Sequence, residues 1–177
     1  MANVLVTVGM GRWPFDRLIA AVDQLCPEHQ VFAQIGTATV RPSCPHAAFV
    51  PYPELLARIA AADVVVTHAG NTVRLVQRAG KVPIAAAREA RRGEMGNDHQ
   101  VGFLHEESAR ARVVAAWDVT RLGSMVREHA AVEARLIADR PLRPVVDPAR
   151  LVATLDAICA ELLPVTGVAA NAFEEQL

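Results

Sequence analysis

Six short apolar runs, rich in β-branched residues, recur along this chain of 177 residues, and each gives way to a longer segment with helical spacing. That alternation is the pattern of βαβ units, whose parallel strands are covered on both faces and so read as continuous apolar blocks. It predicts strands near Asn3–Val8, Gln30–Ile35, Ala47–Val50, Asp63–Thr67, Pro83–Ala87 and Arg112–Ala116. Helices fit Pro14–Leu25, Pro53–Ala61, Thr72–Ala79, Asp98–Ala111, Thr120–Ala138 and Pro148–Leu162. The last has the clearest ends. Asp147 suits the N-cap and Pro148 the first turn, and Leu151, Leu155, Ile158 and Leu162 form one stripe, expected to join the core, before Pro164 stops the helix. The fold class is therefore α/β, a Rossmann-like parallel sheet with helices on both faces, in one domain over 1–164. A small, polar tail over 165–177 is expected to be mobile, and Arg140–Val146, with Pro141 and Pro144, reads as a rigid connection.

Charge and cysteine content narrow the partners. Lys and Arg number 18 against 19 Asp and Glu, scattered along the chain, so there is no basic stripe to neutralise the phosphates of a nucleic acid. Cys26, Cys44 and Cys159 have neither an even count nor metal-ligand spacing, which argues against a disulfide framework or zinc site and fits a reducing compartment. The segment Met1-Ala2-Asn3 leads directly into a strand, with no signal-peptide pattern, and no run approaches the ~18 apolar residues of a membrane span. A soluble, cytoplasmic protein is expected, with any membrane contact peripheral.

In open parallel sheets, ligands bind outside the carboxyl ends of the strands, where glycines admit a close backbone approach and helix amino termini favour anions. Four strand-to-helix loops therefore carry the functional expectation. The first, Val8-Gly9-Met10-Gly11-Arg12-Trp13-Pro14, places Gly9 and Gly11 after a strand. As a dinucleotide fingerprint it is broken, because Pro14 stands where a third glycine belongs. The second strand ends on Gly36. The third loop delivers Thr67 and His68 to the ligand edge and opens a helix with Gly70-Asn71-Thr72, where Asn71 or Thr72 suits the cap. The fourth, from Arg88 to Gln100, is dense in polar side chains and ends in Asp98-His99-Gln100 at a helix start, a carboxylate and an amide suited to vicinal hydroxyls of a sugar.

In this order, VTVG with PFDRL (Val6–Gly9, Pro14–Leu18), THAG with AGKVPI (Thr67–Gly70, Ala79–Ile84) and RRGE with DHQ (Arg91–Glu94, Asp98–Gln100) resemble the carboxyl-terminal, UDP-sugar-binding domain of family 28 glycosyltransferases, half of a GT-B enzyme. The likeness spans about Asn3 to Leu104. It is nearest to small single-domain members of bacterial exopolysaccharide synthesis, which are similar to the catalytic subunit of the dolichol-linked N-acetylglucosaminyltransferase. The resemblance implies that Gly9, Gly11, Gly36, His68, Gly70, Asn71 and Thr72 lie against the donor diphosphate and that Glu94, Asp98 and Gln100 belong to the donor-sugar segment. Two positions depart from the family: Met10 replaces the usual Thr, and Leu75 stands where an acidic residue holds the ribose.

These readings lead to a donor-binding subunit that moves a hexose from a UDP-sugar to a lipid-linked or polysaccharide acceptor with inversion, without metal or cofactor. The general base is not assigned, because in GT-B enzymes it usually comes from the other half. A membrane-anchored, acceptor-binding subunit is the expected partner, and self-association is left open. Met10 and Leu75 favour the alternative, a non-catalytic nucleotide-sugar-binding or regulatory module. A dinucleotide-dependent oxidoreductase is disfavoured by the broken glycine pattern.

Overall fold

The computed structural model describes residues 1–139 and 148–162. The chain divides into two compact units, Met1–Arg143 and Pro144–Leu177. In the first unit six strands, β1 (Asn3–Thr7), β2 (Gln30–Gln34), β3 (His46–Ala47), β4 (Val64–His68), β5 (Ile84–Ala86) and β6 (Val114–Ala115), form one sheet in the order β3-β2-β1-β4-β5-β6. Every neighbouring pair is parallel, with Val4 opposite Val31 on one side and Val64 on the other. The chain winds outward from β1 through β2 to β3, then returns to the middle and winds the other way from β4. The reversal between β1 and β4 leaves a crevice at their carboxyl ends.

The helices are α1 (Asp16–Ala21), α2 (Tyr52–Ala61), α3 (Asn71–Arg78), α4 (His99–Ala109), α5 (Leu122–Asp139) and, in the second unit, α6 (Pro148–Leu162). Strand side chains alternate between faces. Val4, Val6, Val64, Val66 and Ile84 pack against Leu18 and Ile19 of α1 and Leu122 and Val126 of α5. Leu5 and Val65 point the other way, against Ile59 of α2 and Val76 of α3, while Ala85 meets Val73 of α3 and Leu104 of α4. The sheet is thus covered on both faces, which is why its strands are continuous apolar runs.

The AGKVPI segment fixes how α3 ends. Gly80, at φ +76°, leaves the helix in the left-handed region, and the Lys81 amide donates back to the Val76 carbonyl. The Lys81 ammonium then donates to the carbonyls of Ile59, Ala60 and Ala62 at 2.8, 2.7 and 2.6 Å, closing the last turn of α2. Lys81 therefore joins two helices at the edge opposite the crevice.

Several expectations need correction. The third strand covers His46–Ala47, not Ala47–Val50; Pro45 before it and Pro51 beyond it cannot donate to a ladder, although Ala48 still accepts from Gly36 at 2.8 Å. The first helix starts at Asp16, because Phe15 (φ −128°, ψ 53°) turns into the core, and its last turn tightens to a 3₁₀ segment over Val22–Gln24. Neither Asn71 nor Thr72 caps α3: the N-cap is Gly70, Asn71 opens the helix, and Thr72 is buried. Leu155 and Ile158 of α6 are 51% and 45% exposed, since a helical stripe does not specify what covers it. The side chains of Leu151 and Leu162, the Asp147 cap, the Arg140–Val146 connection and the tail lie outside the described residues.

Candidate active site

The loops after β1 and β4 close on each other through one side chain. Parallel pairing of Thr7 with Thr67 brings Gly9 and Gly70 to the same end of the sheet, with the His68 ring between them. A β-carbon built on Gly9 would lie 2.6 Å from His68 Cε1, and one on Gly70 would lie 2.5 Å from Nε2. Both positions are therefore restricted to glycine by the imidazole as well as by any ligand. Gly9 also has φ +75°, a region side chains disfavour. Gly36 (φ +58°) completes the turn: its own β-carbon would press to 3.1 Å from the Gly9 carbonyl. Gly11 has no atom of another segment within 4 Å of its missing β-carbon and stands open.

Beneath the loops a polar ladder fixes the strand ends. Thr67 Oγ1 donates to the Thr7 carbonyl at 2.9 Å, and Thr7 Oγ1 meets Gln34 Oε1 at 2.7 Å, all buried. Above them, α3 starts at Gly70 with no side chain on its first-turn amides. Uncapped N–H groups at a helix amino terminus favour an anion in front of them.

Arg88, directly after β5, is the residue that sequence reasoning missed. It is 2% exposed, stacks its guanidinium 4.9 Å from the centroid of the Phe15 ring, and donates to the Val8 carbonyl at 3.0 Å, leaving Nε without a partner. Burial holds its pKa below the ordinary arginine value. Burial also pushes the His68 imidazole down, from 6.5 to about 4, and the positive charge of Arg88 adds to the effect. The crevice thus holds a neutral histidine beside a buried cation. The available signal was position alone: the first polar residue after the apolar run Pro83–Ala87 must stand at the ligand edge.

The fourth loop is tied to the first. Glu94, buried, accepts from Arg17 Nε at 2.9 Å, from its terminal nitrogen at 3.0 Å, and from the Glu89 amide at 3.1 Å. Arg17 also donates to the Ala87 carbonyl at 2.9 Å. Glu94 is therefore occupied internally and organises the loop. Gln100 is also buried and accepts from the Arg88 amide at 3.1 Å, while Asp98 accepts from the Ala90 amide at 2.7 Å and remains exposed. The expected residues therefore form two groups: Gly9, Gly36, His68, Gly70, Asn71 and Thr72 at the β1–β4 crevice, and Glu94, Asp98 and Gln100 beyond β5. Trp13 is half-buried and Phe15 completely buried, so Phe15 belongs to the core. Among the described residues no group of three or more His, Cys, Asp and Glu side chains could hold a metal ion, and no helix is long and apolar enough to cross a membrane.

This is a Rossmann-like α/β domain, a fold also found over part of solved glycosyltransferase structures. Its fold is similar to CalG4, the calicheamicin glycosyltransferase, at a TM-score of 0.63 and 16% identity over 91% of this chain and 44% of that one. It is also similar to the glycosyltransferase of kitacinnamycin, at a TM-score of 0.61 and 21% identity over 88% of this chain and 43% of that one. The chain thus spans less than half the length of either structure. No family model matches it, and no curated protein matches it in sequence.

Proposed function

We propose that this chain is the donor-binding half of a glycosyltransferase, holding a UDP-hexose at the β1–β4 crevice for transfer to a lipid-linked or polysaccharide acceptor. The observation that carries this reading is the convergence, at one topological switch point, of the uncapped α3 terminus, the Gly9 loop and the buried Arg88 cation. A diphosphate matches that arrangement. In an inverting transfer the acceptor oxygen bonds to the anomeric carbon from the face opposite the leaving group. The bond from that carbon to the diphosphate oxygen breaks, UDP departs with the electron pair, and the acceptor proton passes to a base supplied by the other half. Fixed amides and a buried guanidinium stabilise the charge that grows on the diphosphate without reorganising and without a metal ion. Neutral His68 adds no charge there, and either ring nitrogen can carry its single proton.

Titration calorimetry with UDP, UDP-glucose, UDP-N-acetylglucosamine and NAD tests the reading. Saturable UDP binding that survives EDTA is expected, together with at least tenfold weaker binding in Gly70→Ala, where the new methyl displaces His68. Binding of NAD without UDP, or binding lost to EDTA and restored by manganese, overturns it.

One observation favours a second reading, a non-catalytic nucleotide-sugar-binding module. Leu75 packs beside Ile59 and Val76, so no carboxylate stands at that position for the ribose. Donor hydrolysis or transfer in the presence of acceptor separates the two.

A further inference from the structure

A cavity of about 340 Å³ opens at the same edge of the sheet, beyond β5, and touches neither Gly9 nor His68. That volume is at the lower end of the range for small-molecule sites. Its polar wall is formed by Arg17 and Arg91 with Glu89 and Asp98, and its other wall by His105 and Trp117. Two guanidinium groups facing two carboxylates leave no net field to select a phosphate or a cation. Such a wall suits a neutral ligand carrying many hydroxyls.

The carboxylates are held in place. Glu89 pairs with Arg91, with Arg92 at 3.3 Å and with Arg17 at 3.7 Å, and Asp98 is fixed by the Ala90 amide. Each has two oxygens and about four acceptor sites, so lone pairs remain for hydroxyl donors. Trp117 supplies the other half of the chemistry. Trp117 is 47% exposed and is steadied by His105, with ring centroids 4.3 Å apart and planes at 34°. Val101, Ala87 and Ala116 continue the apolar floor. A pyranose ring has an apolar face of axial C–H groups and a rim of hydroxyls. A cavity lined by both an indole and fixed carboxylates and guanidiniums offers surface to that face and hydrogen bonds to that rim.

We infer that this cavity is a second carbohydrate subsite, which receives a neutral hexopyranose unit of the acceptor on the Trp117 face. The binding claim stands on the cavity itself; the acceptor role rests on the transferase reading above. Asp98 lines this cavity, whereas Gly9, His68 and Gly70 of the crevice do not, so the two regions are separate.

Saturation-transfer NMR with methyl β-glucopyranoside and cellobiose, and with mannitol as an open-chain polyol, tests this on the full chain. Both glycosides should bind, with or without saturating UDP-glucose, and mannitol should not. Trp117→Ala should weaken the glycosides at least tenfold while leaving UDP affinity and the circular dichroism spectrum unchanged; Val101→Arg, which fills the floor, should do the same. Absence of glycoside binding, equal binding of mannitol, or wild-type affinity in Trp117→Ala overturns the subsite. Displacement of the glycosides by UDP-glucose but not by UDP shows that the cavity holds the transferred sugar, and overturns the acceptor assignment. Failure of UDP to bind at all would fall on the donor reading and leave the glycoside result intact.

Discussion

His68 occupies a gap that two glycines leave open, and its environment makes it a neutral residue. In an unfolded chain its imidazole titrates near 6.5, whereas in the fold burial, and secondarily the Arg88 charge, push this down to about 4. The unfolded state therefore takes up the proton first as the pH falls. The contribution of neutral His68 is fully present above about pH 6.5 and is lost progressively towards pH 4. By pH 4.5 the loss should be on the order of 2 kcal/mol. Urea unfolding at pH 7 and pH 4.5, in wild type and in His68→Gln, measures it: the pH-induced loss should shrink by about that amount in the variant. An imidazole seen by NMR to titrate near its ordinary value would refute the neutral-histidine assignment.

At the scale of elements, the crevice depends on where α3 begins, and α3 is anchored from its far side by α4. Glu107, its side chain 1% exposed, accepts from Arg74 at 2.7 and 2.9 Å and from Gln77 at 3.0 Å, so a buried carboxylate clamps two turns of α3. Replacing Glu107 with Ala removes the acceptor of three hydrogen bonds; Gln77 keeps its bond to the Arg112 carbonyl at 3.1 Å, and Arg74, partly exposed, can turn to water. A loss of about 2–3 kcal/mol is expected, and Arg74→Ala, which leaves the buried Glu107 carboxylate without its main cationic partner, should cost at least as much. Denaturant unfolding followed by Trp13 and Trp117 fluorescence reads both, and a negligible cost in Arg74→Ala would show that the clamp is not organised around the Glu107 charge. Elements of this kind differ in how legible they are. Five of the six strands and the end of α3 could be read because β-branched runs and Gly80 act locally, whereas the third strand and the α3 cap are misplaced by local pattern alone. The Glu107–Arg74 clamp and the Glu94–Arg17 pair could not, because their partners lie 33 and 77 residues apart. Arg88 shares that limit: nothing in a polar run between Arg88 and Gly96 distinguishes the one arginine that turns inward under Phe15 from Arg91, which stays 76% exposed. Its position after β5 was visible, but its burial was not.

The whole molecule presents one edge to its chemistry. The crevice, the Trp117 cavity and the exposed apolar side chains Met10 (79%) and Phe49 (48%) all lie on loops that follow strands, at the carboxyl end of the sheet. Structures with this fold are more than twice as long as the matched region, since that region is 44% and 43% of their chains. A donor crevice lowers the barrier only if an acceptor hydroxyl is also held in line with the anomeric carbon and relieved of its proton. Positioning of that kind can be worth roughly 7–11 kcal/mol in favourable reactions. The described residues offer no base at the crevice suited to that proton, because His68, the titratable side chain between the loops, is packed between Gly9 and Gly70. On the proposed function this chain should turn over a UDP-sugar slowly by itself and gain at least ~100-fold in rate when an acceptor-binding half is supplied. The partner should cover the loops around Met10 and Phe49, where exposed apolar side chains flank the crevice. Transfer to a lipid-linked acceptor, assayed with the purified chain alone and then with a membrane-anchored candidate partner added, measures the gain. Phe49→Glu should reduce the partner-dependent rate while the slow basal hydrolysis persists. Full turnover by a verified monomer would show instead that this chain alone both orients the acceptor hydroxyl and removes its proton.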